Sequence, residues 1–316
     1  MEITTLIPAF KPQYLQQLLI ALQAQTVRPT RIIISDDSPN QAFRAALLNG
    51  PFKQVAKELN IEVIEGPHQG GAANGWHLLK VWNEQTPLVH FLMDDDVIYP
   101  EFYERHLGVH ATGEFDCSVS RRWTATESGQ PIGKLPMPAQ IAQHKDRVLA
   151  LEADWLFAST VPSRNNWLGE HSNAVYSRRA IDIYKEHNIA GIAISGLEDI
   201  GLFLAVSLKT PVCFINEPLG FFRMSANQVS SQPMSHTFKL GVLAWVALGV
   251  AGRRVGLLNR DQALECYART SLQIKQRYAG VSDMMDFDAL ILDLMSGSEQ
   301  AEEAFIQAWH AFIPRV

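Results

Sequence analysis

Residues 88–100, Leu-Val-His-Phe-Leu-Met-Asp-Asp-Asp-Val-Ile-Tyr-Pro, constrain this chain more than any other stretch. An apolar run broken only by His90 has the length of one strand, and it delivers three carboxylates in succession, Asp94, Asp95 and Asp96. Such a run fits a parallel strand covered on both faces. In open α/β sheets the crevice beyond the carboxyl ends of the strands is where ligands bind. Three adjacent anions there repel one another unless a cation lies among them. Hard oxygen donors suit Mg²⁺ or Mn²⁺, which commonly bring a phosphate along. The plainer alternative is a helix N-terminus dressed with acids.

The residues before this strand repeat one pattern. Strands are expected at 3–8, 31–35 and 61–64, separated by helical spacing at 12–24 (Leu15, Leu18, Leu19, Leu22) and at 42–59 with a break at Gly50-Pro51. The turn 66–71 leads into a helix carrying Trp76, Leu79, Lys80 and Trp82. Strand–helix alternation with short connections implies a mostly parallel sheet flanked by helices, a nucleotide-binding type of architecture. Gly70-Gly71 matches neither G-x-G-x-x-G nor a P-loop, so dinucleotide and Walker-type ATP binding are not supported.

Further on, a helix is expected at 101–111 and a strand at 117–123. The segment 155–173, rich in Trp, Asn, Ser and Arg, reads as irregular binding loop. Helices follow at 178–187 and after Gly196, with two short strands at 212–215 and 220–223. From His236 the chain reads as wholly helical. A Ser/Gln/Pro-rich link at 230–236 places the boundary between an α/β domain, 1–232, and a helical C-terminal extension, 233–316.

A net charge of −6 gives no basic face for nucleic acid. Cys117, Cys213 and Cys266 lie far apart and form neither a disulfide framework nor a zinc site of usual spacing, which suits a reducing cytoplasm. The N-terminus has no secretory signal pattern. Residues 240–252 are strongly apolar but shorter than the roughly 20 residues a membrane span needs. They read as a buried or interface helix, through which the C-terminal helices would form a homodimer or touch the cytoplasmic face of a membrane.

Taken together, these pieces resemble the family 2 glycosyltransferases of the GT-A fold over residues 2–230. Thr5-Leu6-Ile7-Pro8-Ala9-Phe10 is similar to the opening strand and loop that cradle the nucleotide base, and Asp36-Asp37 to the acidic pair of the second strand. Gly70-Gly71-Ala72-Ala73-Asn74 is similar to the family's helix start, and Asp94-Asp95-Asp96 to its D-x-D metal motif. Glu198-Asp199 matches the acceptor-side pair, and Arg223, Asn227 and Ser230 the closing segment. Two departures stand out. Ala73 replaces a common Arg, and Ser225 replaces a His that helps hold metal or diphosphate, with His171 and His236 as candidate substitutes.

The resemblance implies roles. Pro8, Ala9, Phe10, Asp37, Asn74, Asp94 and Asp95 bind nucleotide, with Asp37 accepting from the N3–H of uracil or thymine. Asp36 is a structural or ribose-side neighbour. Asp96 and Asp94 hold Mn²⁺ or Mg²⁺; Arg223 and Ser225 serve the diphosphate. Glu198 and Trp167 bind acceptor, with Trp155, Arg164, Asn165 and Asn166 completing an acceptor platform or simply packing. Ser195 and Glu198 also fit a capping box, which gives Glu198 a structural role instead. Asp199, in the first turn of a helix whose dipole favours its charged form, is the catalytic base.

The function implied is inverting, metal-dependent transfer of a sugar from a UDP-sugar, or secondly a dTDP-sugar, to a carbohydrate or lipid-linked acceptor in bacterial surface polysaccharide or lipopolysaccharide synthesis. The alternatives are a non-catalytic nucleotide-sugar-binding protein and an aspartate-nucleophile phosphatase using Asp94-x-Asp96.

Overall fold

The computed structural model describes residues 1–134, 136–224 and 232–314, in two compact units. The first comprises Met1–Ala150, Leu168–Ile181 and Val212–Met224; the second comprises Leu151–Trp167, Asp182–Pro211 and Ser225–Val316.

The first unit is built on β1 (Ile3–Ala9), β2 (Arg31–Asp36), β3 (Ile61–Glu65), β4 (Leu88–Phe91), β5 (Val97–Ile98), β6 (Cys117–Ala125), β7 (Ala174–Ser177) and β8 (Val212–Arg223). Their order in the sheet is β3-β2-β1-β4-β7-β6-β8-β5. β1 pairs in parallel with β2 on one side and β4 on the other, and β2 in parallel with β3. Runs of β-branched residues such as Ile32-Ile33-Ile34, wholly buried, make these strands suited to coverage on both faces. Thr4 and Thr5 are buried there too, their hydroxyls satisfied by Thr86 Oγ1 at 2.8 Å and Tyr103 OH at 2.6 Å.

Helices α1 (Leu15–Gln23), α2 (Gly71–Trp82) and α3 (Phe102–His110) belong to this unit. The expected spacing holds in α1: Leu15, Leu18, Leu19 and Leu22 are all buried, each burial stabilising by about 1.5–3 kcal/mol. In α2 the buried residues are Asn74, Leu78, Leu79 and Trp82, and the Trp82 indole donates to Thr86 Oγ1 at 2.9 Å.

Two readings of the sequence need correction in this unit. β7, four residues long, was not expected; it runs antiparallel to both β4 and β6 and joins the parallel half of the sheet to the rest. The two strands expected at 212–215 and 220–223 are one strand. β8 stays paired with β6 through register shifts between Ile215 and Pro218 and between Pro218 and Phe221, so bulges absorb the proline that suggested a break.

The second unit is helical: α4 (Ala153–Thr160), α5 (Glu198–Ser207), α6 (His236–Arg254), α7 (Arg260–Arg277), α8 (Ser282–Leu294) and α9 (Glu299–Phe312). α4 overturns the expectation of a wholly irregular 155–173 segment. Its Leu156, Phe157 and Thr160 are buried, and the Thr160 hydroxyl donates to the Leu156 carbonyl at 2.6 Å, so a helical face was present beneath the Trp/Asn/Ser composition.

Leu240 and every residue from Val242 to Gly252 are buried within α6, as the reading of a buried or interface helix expects. Among the described residues no helix is long and apolar enough to cross a membrane.

Candidate active site

The order β3-β2-β1-β4 reverses direction at β1, and there the carboxyl ends of β1, β2 and β4 bring three loops together. From β1 comes the loop 8–11, from β2 the pair Asp36-Asp37, and from β4 the triplet Asp94–Asp96. Both acidic groups singled out by the sequence therefore belong to one sheet end.

Asp36 is structural. Its Oδ1 accepts from Ser38 N at 2.9 Å and from the Ser38 hydroxyl, and its Oδ2 accepts from Arg44 N at 2.8 Å, which closes the turn after β2. Asp37 is different: its backbone N–H donates to the Ala9 carbonyl at 2.9 Å, while Oδ1 accepts from His68 N at 2.8 Å. The carboxylate lines a cleft of about 310 Å³ with Pro8, Phe10, His68, Gly70 and Asn74. The Phe10 ring is 57% exposed, which leaves its face open to stack on a planar base. Asn74 donates to the Ser35 carbonyl at 3.0 Å, and its Oδ1 is buried with no hydrogen-bond partner among the described residues. Ala9 is wholly buried and contributes only its backbone.

Gly66 permits this arrangement. A Cβ added there would lie 2.0 Å from Asp37 Oδ1. Gly66→Ala is therefore expected to push the carboxylate out of its position in the cleft, with a stability cost of about 1–3 kcal/mol that a thermal melt checks.

The triplet is held from three sides. Asp94 Oδ2 accepts from Phe10 N at 2.6 Å and Lys11 N at 2.5 Å, which clasps the β1 loop to the end of β4. The Lys11 ammonium pairs with Asp95. Asp96 Oδ1 accepts from Arg223 N at 3.1 Å. Ser172 supports the same strand end, its hydroxyl accepting from Met93 N at 3.0 Å and its carbonyl meeting His90 Nε2 at 3.0 Å. Lys11 and Ser172 escaped the sequence reading. Lys11 directly follows the motif residues of β1, but nothing in its spacing announces a partner at position 95.

Burial pushes the Asp96 carboxyl up to about 8, with the charges of Asp95 and Glu170 adding to the rise. Burial likewise pushes Asp94 up to about 6, against the backbone donors of Lys11 and Phe10. A carboxyl held protonated near neutrality lacks a positive partner, and a divalent cation would supply one. Among the described residues no group of three or more His, Cys, Asp and Glu side chains forms a metal site. Mg²⁺ and Mn²⁺ are usually held by one or two carboxylates, with waters and substrate phosphates completing the shell. The donor set at Asp94 and Asp96 fits such an ion.

Arg223 packs under the triplet. Its guanidinium is wholly buried: Nε donates to the Asp95 carbonyl at 2.7 Å, the two Nη groups to the Glu127 carbonyl and Gln17 Oε1, and the Tyr14 ring lies 4.4 Å away. It is a strut beneath the triplet. Ser225, Asn227 and Ser230 fall outside the described residues. The proposed His substitutes are engaged elsewhere, His171 Nδ1 with Tyr176 OH at 2.7 Å and the His236 ring against Phe312 at 4.5 Å.

In the second unit α5 starts at Glu198 with Leu197 as N-cap, so the capping box with Ser195 does not form. The Glu198 carboxylate instead accepts from Gly196 N at 2.8 Å. Asp199 Oδ1 accepts from Ile200 N at 2.7 Å and Oδ2 from Asn166 Nδ2 at 3.1 Å. Ile200 to Ser207 are all buried, which anchors the helix and fixes the height of Asp199 at its first turn. Trp167 is 2% exposed, with its indole donating to Ser159 Oγ at 3.3 Å and its ring edge-on to Trp155 at 5.5 Å. The half-buried Trp155 is the ring closer to solvent.

The fold is similar to that of TarS from S. aureus. A structure of TarS 1-349 in complex with UDP-GlcNAc superposes with a TM-score of 0.62 at 14% identity, covering 99% of this chain and 84% of that one. A longer TarS chain gives 0.61 at 13% identity, covering 99% of this chain and 50% of that one. TarS 1-349 with UDP gives 0.58 at 14% identity, covering 99% and 90%. No curated protein sequence matches significantly. The architecture is GT-A-like, a mostly parallel central sheet flanked by helices with further helices toward the C-terminus. The family model described as glycosyl transferase family 2 matches residues 4–181, and the chain belongs to that family of glycosyltransferases.

Proposed function

We propose that the protein transfers a sugar from a UDP-sugar, with inversion and with Mn²⁺ or Mg²⁺, to a saccharide or lipid-linked acceptor in bacterial surface polysaccharide or lipopolysaccharide assembly. The observation that carries the donor assignment is the convergence of Asp37, the exposed Phe10 ring and the Asp94–Asp96 triplet at one sheet end. Asp37 Oδ2 accepts from the N3–H of uracil, an edge that cytosine cannot offer because its N3 is an acceptor. Phe10 stacks on the base. Asp94 orients the loop that holds both. UDP-GlcNAc is the nucleotide sugar bound to the TarS structure, and a uridine donor is consistent with that likeness.

Asp96 and Asp94 would hold the cation, which when bound stabilises as a Lewis acid the charge that grows on the leaving diphosphate. Lys11 keeps Asp95 paired, so the triplet does not carry three uncompensated charges. On the acceptor side Asp199 takes the proton of the attacking hydroxyl, with Asn166 orienting its carboxylate. The domain boundary near 232 remains part of this proposal, as does a cytoplasmic location.

Asp37→Ala tests the base assignment. Losing a charge-assisted hydrogen bond is expected to weaken UDP binding about 10- to 100-fold while leaving pyrophosphate affinity nearly unchanged. Calorimetry with the two ligands separates the cases; equal losses would mean that Asp37 only holds its loop.

A further inference from the structure

A cleft of about 390 Å³ lies in the second unit, with Arg164, Leu197, Phe238, Val242 and Trp245 among its walls. Most of the lining is apolar, from the Phe238 ring, the Trp245 indole, Leu197 and Val242. Gly196 and Gly241 close one side backbone against backbone. Gly196 has φ +80°, and a Cβ there would lie 2.7 Å from Gly241 N, so this wall stays bare of side chains.

One group in the cleft is charged. Arg164 Nη1 donates to the neutral acceptors Gln273 Oε1 at 2.6 Å and Thr270 Oγ1 at 3.3 Å. Its Nε is buried with no hydrogen-bond partner, and no carboxylate pairs with it among the described residues. Burial pulls its pKa below the ordinary value; Cys266 opposes this and the like charge of Arg269 adds to it. Thr237 and Phe238, which also line the cleft, sit in the first turn of the long helix α6, at the positive end of its dipole.

An apolar chamber with a cation short of a counter-charge suits a ligand with an apolar body and an anionic head. Arg164 and the Thr237 hydroxyl can both donate to an anionic head, and a phosphate offers several acceptor oxygens to them. Gly196 and Leu197 directly precede Glu198 and Asp199, which ties the cleft to the acceptor pair. We propose that this cleft binds an amphipathic phosphate ester belonging to the acceptor, with the apolar body against Phe238 and Trp245 and the phosphate on Arg164. The inference rests on the glycosyl-transfer reading above and names the acceptor as anionic and amphipathic.

The test uses the full chain and three probes below their micelle concentrations: monohexyl phosphate, inorganic phosphate and hexyl glucoside. In calorimetry monohexyl phosphate is expected to bind at least about tenfold more tightly than either of the others. Arg164→Gln should weaken it by at least about tenfold, and Thr237→Trp, at an exposed position on the rim, should block it. Equal affinity for hexyl glucoside, or for inorganic phosphate, overturns the proposal. So does monohexyl phosphate binding that neither variant changes. A thermal melt of each variant confirms folding; if Arg164→Gln fails to fold, Thr237→Trp decides alone. UDP binding and donor hydrolysis by the wild-type chain are measured separately, so failure of the glycosyl-transfer reading shows there and not in the probe titrations.

Discussion

Asp199→Asn is expected to lower turnover with a true acceptor by roughly 10²–10⁴-fold, the usual worth of a positioned general base. A sugar hydroxyl is a weak nucleophile at neutral pH and needs its proton taken as it attacks. Asparagine keeps the size and shape of the side chain and removes the basic oxygen. The partner on the other side is Asn166, whose Nδ2 lies 3.1 Å from Asp199 Oδ2, so the variant can keep one hydrogen bond by rotating its amide. UDP affinity should stay within about twofold, since Asp199 is assigned to the acceptor; hydrolysis of donor by water should fall less than transfer. Steady-state kinetics with and without acceptor separates these quantities. Transfer at near wild-type rate would move the search for the base to Glu198, whose carboxylate is occupied by Gly196 N at 2.8 Å.

The second large effect belongs to Asp96. If Asp96 holds the cation as proposed, Asp96→Asn, which puts a neutral amide in place of a hard anion, is expected to weaken UDP binding in the presence of Mn²⁺ about 10- to 100-fold. The pH dependence of the wild-type protein is equally diagnostic. Burial, Asp95 and Glu170 raise the Asp96 carboxyl to about 8 in the folded protein, above its ordinary 3.8. The stability that its protonated form contributes is complete below the ordinary value and is lost as pH climbs through about 8. A cation must displace that proton. Apparent Mn²⁺ affinity should therefore rise about tenfold per pH unit between 6 and 8 and level off above, and Mn²⁺ should raise the melting temperature more at pH 8 than at pH 6. Calorimetry showing flat, EDTA-insensitive UDP binding across that range would remove the metal from the mechanism.

Much of the parallel half of the sheet was legible in the sequence because each strand is a local signal. Ile32-Ile33-Ile34 and Leu88 to Phe91 announce buried strands without reference to any other residue. The acidic groups that follow them were legible for the same reason, since a strand's carboxyl end fixes where the next side chain can be. What escaped depends on partners distant in sequence. β7 is four residues, Ala-Val-Tyr-Ser, and is a strand only because β4 and β6 flank it. The unity of β8 rests on bulges that β6 accommodates, whereas Pro218 taken alone signals a break. Trp167 has the composition of a binding loop, and only the packing with Trp155 and Ser159 reveals a core residue. The partners of Arg223, namely Gln17, Glu127 and Asp95, all lie far from it in sequence.

Arg223 has a consequence for the order in which the first unit can be completed. It closes the last strand of that unit and bonds to Gln17, 206 positions earlier, and to Glu127, 96 positions earlier. Contacts of such separation form late, after the loop-closure entropy of the intervening chain has been overcome. During synthesis β1, β2, β3 and β4 emerge first, and they can pair with one another before β8 exists. The floor beneath Asp95 and Asp96 cannot be laid until residue 223 has been made. A nascent chain shorter than that carries the acidic triplet without the guanidinium that bonds the Asp95 carbonyl and without the backbone N–H that bonds the Asp96 carboxylate.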